Sequence, residues 1–183
     1  MPRLIVPFPS DADMADDDSV VENFFDSVHS YLDRHVHDTD RSIAETDCPE
    51  IEVCQALFYE AQINNGGHIQ FVCNTNDDDE TYRAVASGLM HVGARRHLAV
   101  LLDFVEWRRA NPPLMHGMLH QPDPYRGPHR PFFDRCDDAF FAESEARISR
   151  YAADWIRSSV HVAQVPIEEY LDYKAGRRSH TLL

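Results

Sequence analysis

Apolar residues recur along this chain at the three- and four-residue steps that mark the buried face of a helix. From about Asp17 to His37, Val21, Phe24, Phe25, Val28 and Leu32 form one such stripe. Asp18, Glu22, Asp26 and Asp33 gather on the opposite side, so the same spacing predicts a coherent acidic face. Like charges four residues apart cost a few tenths of a kcal/mol each. Asp17 and Asp18 offset part of this at the helix N-terminus.

A second helix is expected from about Pro49 to Asn64, with Ile51, Cys54, Leu57, Phe58 and Ala61 as its seam. Pro49 suits a first turn, and Asp47 is a cap before it. Asn65, Gly66 and Gly67 close this helix, because Asn and Gly tolerate the left-handed conformation found at helix ends. His68 to Cys73 reads as a further helical turn, with a short strand as the alternative. Residues 74–79 read as a loop in which Asp78 or Asp79 caps the next helix.

That helix, about Glu80 to His91, buries Tyr82, Val85, Ala86 and Leu89 and stops at Gly93. The next, about Arg95 to Arg109, carries Leu98, Leu101, Leu102 and Val105 and ends at Asn111-Pro112-Pro113. Residues 111–131 hold six of the eleven prolines and read as a long irregular connection. A short helix follows through Phe133, Cys136, Phe140 and Phe141, then a longer one through Ile148, Tyr151, Ala152, Trp155 and Ile156. A last one opens at Pro166 with Ile167, Tyr170 and Leu171. With no internal repeat, no Gly-rich phosphate loop and no alternating strand set, the pattern predicts an all-α fold. It is expected as a single compact domain of about six to eight helices over residues 1–183.

Composition agrees with that outline. A chain of 183 residues with 43% apolar content, ten Phe and seven Tyr has material for one substantial core. The opening stretch MPRLIVPFPS is too short in apolar residues for a signal peptide, and no run approaches the roughly 20 residues of a membrane span. Cys48, Cys54, Cys73 and Cys136 have no CxxC spacing, which points to reduced thiols and a cytoplasmic protein.

Charge adds more. The net charge is −14, and residues 11–80 hold nineteen Asp and Glu against two basic residues, Arg34 and Arg41. Beyond residue 80 the chain is close to balance, with twelve acids against fourteen basic residues. The acidic half therefore repels nucleic acid and anionic membranes and attracts basic partners. The helix-one acids are its most ordered part. Asp38, Asp40, Glu45, Asp47, Glu50 and Glu52 extend the field, and Asp77, Asp78, Asp79 and Glu80 form a dense patch.

The stretch EAQINNGGHIQFVCNTNDDDE, residues 60–80, is the most chemically varied in the chain. As a reaction centre it offers one carboxylate, Glu60, one histidine, His68, and Cys73 as the only nucleophile. As a scaffold joint it makes better sense. Asn65, Gly66 and Gly67 close the helix, Gln70 and Asn74 hydrogen-bond exposed backbone ends, and Glu60 anchors the joint. No enzymatic activity and no cofactor are expected. His35 and His37 invite a metal reading, but two rings two residues apart on a helix point about 200° from each other. His116 and His120 fall in the Pro-rich segment, where no helix is expected to fix their geometry. No metal site is expected.

The pattern Glu60-x4-Asn65-Gly66-Gly67-x2-Gln70-x3-Asn74, with a later helix ending in Val92-Gly93-Ala94, resembles a bacterial domain family of unknown function that includes DNA mimic protein 19. The segment DRCDDAFF, Asp134 to Phe141, with Tyr151 further on, resembles the family's second block. Together the blocks cover roughly residues 50–156. His68 departs from the pattern, in which an aromatic, usually Phe, follows the glycine pair. The resemblance implies an all-helical domain that forms a homodimer. It also implies, from one member, a surface whose carboxylates stand where a DNA duplex has phosphates and which occupies a basic DNA-binding protein such as a transcription factor. On this reading Asp18, Glu22, Asp26, Asp33, Asp77, Asp78, Asp79 and Glu80 are the partner-binding acids. An immunity-type or anti-nuclease inhibitor, or a structural domain with a solubilising acidic surface, remains open as an alternative class.

Overall fold

The computed structural model of the chain describes residues 5–12, 14–35, 48–142, 147–158 and 162–176. Among them are eight helices and one pair of short strands. The helices are α1 (Asp17–His35), α2 (Pro49–Thr75), α3 (Asp79–Val92), α4 (Arg95–Ala110), α5 (Pro112–Leu119), α6 (Arg130–Phe141), α7 (Ile148–Ser158) and α8 (Ile167–Lys174). The strands, β1 (Val6–Pro9) and β2 (Val162–Val165), pair in parallel with Val6 opposite Val162 and Phe8 opposite Gln164. The architecture is all-α as the periodicity predicts, and none of the described helices is long and apolar enough to cross a membrane.

α2 is the axis of the domain, and α3 is its most intimate neighbour. Three residues join them. Asn76 and Asp77 are both left-handed, and Asp78 caps α3 by accepting the Thr81 N–H at 2.8 Å. Gly93, at φ 77°, ends α3 as expected. α6 and α7 also lie against α2, α7 packs on α1 and α3, and α8 covers β1 and α1. Tyr59, Phe71, Phe104, Phe133, Ile51, Ile63 and Leu89 fill the centre with almost no exposed surface.

Four sequence expectations change. The backbone leaves the helix at Gly66 and Gly67 as expected, but the helix does not end there: α2 resumes at once and runs to Thr75. The Pro-rich segment is not irregular throughout, because Pro112 and Pro113 open α5, where a first turn needs no N–H from them. The strand pair was not expected. Its four-residue segments contain two prolines and no alternation long enough to read, and they find each other only after folding. Finally, Leu102, Phe141, Tyr151 and Leu171, which the spacing puts on buried stripes, are exposed.

The buried thiols make a testable statement about pH. Burial pushes Cys48 and Cys136 up to about 12. Burial likewise lifts Cys54 and Tyr59 well above their ordinary values. These groups bind protons more tightly folded than unfolded. The stability tied to their neutral forms is therefore complete below about pH 9 and is lost as pH climbs towards 12. Urea midpoints at pH 8 and pH 11 should show a clear fall at the higher pH, and equal midpoints would contradict the burial.

Candidate functional site

The joint in α2 is built from both ends of the sequence. Gly66 has φ −160°, which any residue adopts, whereas Gly67 has φ 71° and ψ −171°, a conformation open almost only to glycine. The two glycines are thus not equivalent. A side chain on Gly66 would press on the ends of Gln70 and Tyr125 and on Gln70 Cβ, while one on Gly67 would fall 2.3 Å from a carboxylate oxygen of Asp137.

Asp137 stands there for a reason. Its Oδ1 accepts the His68 backbone N–H at 2.9 Å and lies 2.6 Å from His68 Nδ1. The other ring nitrogen, Nε2, is 2.7 Å from the Tyr59 hydroxyl. A carboxylate only accepts, so Nδ1–H donates to Asp137, and in the neutral tautomer this leaves Nε2 to accept from the Tyr59 hydroxyl. The His68 ring is fully buried among Tyr59, Phe104 and Phe140. His68 therefore fills an aromatic's place in the core, and Tyr59 and Asp137 satisfy the two nitrogens that a phenylalanine would lack. The kink leaves an N–H without a helical partner, and Asp137 from α6 supplies the acceptor.

Glu60 does not anchor the joint. Its carboxylate reaches α7, accepting the N–H of Ile148 at 2.7 Å and of Ser149 at 2.8 Å. This is a helix cap supplied from 88 residues away. Burial raises the Glu60 carboxyl above its ordinary range, against the pull of the Ser149 and Ile148 hydrogen bonds. Gln70 and Asn74 do not serve backbone ends either. Both donate to the side-chain oxygen of Gln62, at 3.1 and 2.5 Å. Asn65 is exposed at the outer side of the kink.

The acids divide sharply. Asp77 accepts the Tyr82 hydroxyl at 2.9 Å and pairs with Arg108 at 2.6 Å. Asp78 caps α3, and Asp79 pairs with Arg108 at 2.7 Å. The Arg108 hydrogen bond holds the Asp79 carboxyl below its ordinary range. Asp78, Asp79 and Glu80 all stay at the surface, but Asp78 is engaged as a cap, Asp79 is held by Arg108 and Glu80 lies 3.8 Å from Arg83. Glu50 is buried beside the Cys48 thiol, and Glu52 pairs with His91, so neither extends an outward field. Asp38, Asp40, Glu45 and Asp47 lie outside the described residues.

α1 is different. Asp18, Glu22 and Asp33 are exposed, and among the described residues none has an ion pair within 4 Å. Asp26 is held by Lys174 of α8. Asp17 pairs with Arg157, and Asp16 caps the helix by accepting the Ser19 N–H. Among the described residues, the acids expected to bind a partner are thus fewer in the open than the spacing suggests, and Asp18, Glu22 and Asp33 of α1 are those with neither an ion pair nor a capping role.

The histidine pairs fare as follows. His37 and the side chain of His35 lie outside the described residues. His116 and His120 are on and just after α5, so a helix does fix their spacing, and their rings stack 4.0 Å apart. Among the described residues no group of three or more His, Cys, Asp or Glu is arranged to hold a metal ion.

The fold and these contacts define an all-helical domain in which two sequence blocks, one on α2 and one on α6, are locked together through His68 and Asp137. The chain belongs to the family of DMP19-like proteins, whose model matches residues 47–159, well over half of its length. The match spans α2 to α7 and leaves α1 outside it. No curated protein and no solved structure matches the chain significantly.

Proposed function

We propose that this protein is a non-enzymatic binding protein that acts in the cytoplasm as a DNA mimic, occupying the DNA-contacting surface of a basic partner such as a transcription factor. The observation that carries the reading is the α1 stripe: Asp18, Glu22 and Asp33 are exposed and unpaired among the described residues. They stand on one face of α1 in a chain of net charge −14. Carboxylates four residues apart lie about 5–6 Å apart along a helix. A row of them presents to Arg and Lys the kind of fixed negative field that a phosphate backbone presents. Membership of the DMP19-like family is consistent with such a role. Because α1 lies outside the family match, the reading rests on this chain's own surface. A homodimer, as the resemblance implies, would display two such stripes.

A competition titration tests the proposal. A basic regulator captured by this protein should be released from labelled operator DNA as the protein is added, and the complex should weaken steeply as salt rises. Asp18→Lys, Glu22→Lys and Asp33→Lys together should weaken capture at least tenfold without loss of helicity, since these side chains point away from Phe24 and Val28. A regulator that holds this protein and its DNA at the same time would exclude mimicry. Capture of a toxin nuclease instead would favour the inhibitor class.

A further inference from the structure

Between α1, α2 and the first turn of α7 lies a groove of about 430 Å³. Val21 and Phe25 of α1 and Leu57 and Ala61 of α2 make its apolar lining, and the carboxylates of Asp18 and Glu22 stand at its edge. Asp26 and Glu60 also border it, but Lys174 holds the first and the α7 backbone holds the second. Apolar walls and unpaired rim charges therefore meet on the face assigned to partner binding. A carboxylate row serving only as a phosphate substitute has no use for an apolar cleft beside it.

We propose that this groove seats the apolar side of a basic amphipathic helix on the partner. Aliphatic anchors would pack against Val21, Phe25, Leu57 and Ala61, with flanking Arg or Lys on Asp18 and Glu22. The inference rests on the binding function proposed above and names the element of the partner that is recognised.

Charge complementarity selects this occupant. An acidic or neutral segment would strip water from Asp18 and Glu22 without replacing it by a counter-charge, at a cost. A nucleic acid is repelled outright. A second copy of this chain brings a net charge of −14 to an already acidic rim. A cleft between two helices is also the setting in which an amphipathic helix is bound by anchors at i, i+3, i+4 and i+7. The apolar contacts do not fade with ionic strength, whereas the rim contacts do. Binding should consequently have a salt-sensitive part and a salt-resistant part, set by different residues.

The experiment uses the full chain and two synthetic helical peptides of equal positive charge. One carries leucines at i, i+3, i+4 and i+7 among arginines; the other has those leucines replaced by alanine. By fluorescence anisotropy the leucine peptide should bind at least tenfold more tightly, and the difference should persist at high salt. Ala61→Gln, an exposed position where a longer uncharged side chain fills the groove without breaking the helix, should abolish the difference. Asp18→Asn with Glu22→Gln should flatten the salt dependence for both peptides. Equal binding of the two peptides, or an unchanged preference in the Ala61→Gln variant, would overturn the proposal. Dissociation of an oligomer by Ala61→Gln would overturn it too, by showing a second copy in the groove. If the leucine preference holds while a regulator binds this protein and its DNA together, the groove stands and mimicry fails. If the preference is absent while operator DNA is displaced, mimicry stands and the groove does not.

Discussion

Gly67→Val is expected to lower the thermal midpoint by roughly 10 °C or more. Two independent costs combine. Gly67 sits at φ 71° and ψ −171°, where a β-branched residue is strained by about 1–3 kcal/mol. Its new Cβ would also lie 2.3 Å from Asp137 Oδ2, so Asp137 must withdraw. Withdrawal strands the His68 backbone N–H and ring N–H inside the core, at about 1–3 kcal/mol for such unsatisfied donors. Circular dichroism melts of the variant beside Gly66→Val separate the causes. Gly66 needs no left-handed backbone, and its new Cβ would meet Gln70, including its Cβ at 2.9 Å, and the Tyr125 hydroxyl but not Asp137, so its variant should lose less. Equal losses at the two positions would contradict the role given to Asp137.

Gly88→Ala is the second large effect, and its sign is the test. In the middle of a helix, replacing Gly by Ala ordinarily stabilises by about 1 kcal/mol. Here the added Cβ would fall 2.0 Å from the backbone oxygen of Glu52 and 3.0 Å from Ala56 Cβ. Backbone cannot step aside as a side-chain tip can, so α3 must lift from α2 along the most extensive helix pairing among the described residues. Overpacking of this kind costs about 1–3 kcal/mol, which exceeds the gain in helix propensity. The urea midpoint of the variant should therefore fall. A rise would mean that α2 and α3 do not approach each other at this point.

These two glycines mark how far the sequence could be read. Gly67 is legible because its requirement is local: a Gly pair after Asn, at the end of an apolar seam, signals a left-handed backbone whatever packs around it. Gly88 carries no such signal. Nothing in α3's own sequence tells that Glu52 and Ala56 arrive opposite it, and by propensity alone the residue looks like a defect. The acids divide in the same way. The α1 stripe is a one-helix property, and three of its four acids, Asp18, Glu22 and Asp33, are exposed as the spacing predicts, whereas Lys174 of α8 holds the fourth, Asp26. The Asp77–Glu80 run looked like a stronger patch, yet Arg108, 31 residues beyond Asp77, takes two of its charges.

By itself, then, the sequence determined that the chain is helical, that Pro49 and Gly93 bound helices and Asp78 or Asp79 caps one, that α2 breaks at its glycines, and that one face of α1 is acidic. Each of these depends on interactions within about four residues, which periodicity and capping chemistry report directly. Only the tertiary structure decided that Pro112 and Pro113 start a helix, and that β1 pairs with β2. It also decided that Glu60 caps α7 from 88 residues away, and that Asp137 reaches back 69 residues to hold His68 at the kink. Those partners are chosen by the register in which whole helices pack. Register is set by the summed fit of the core, so no short stretch of sequence contains it.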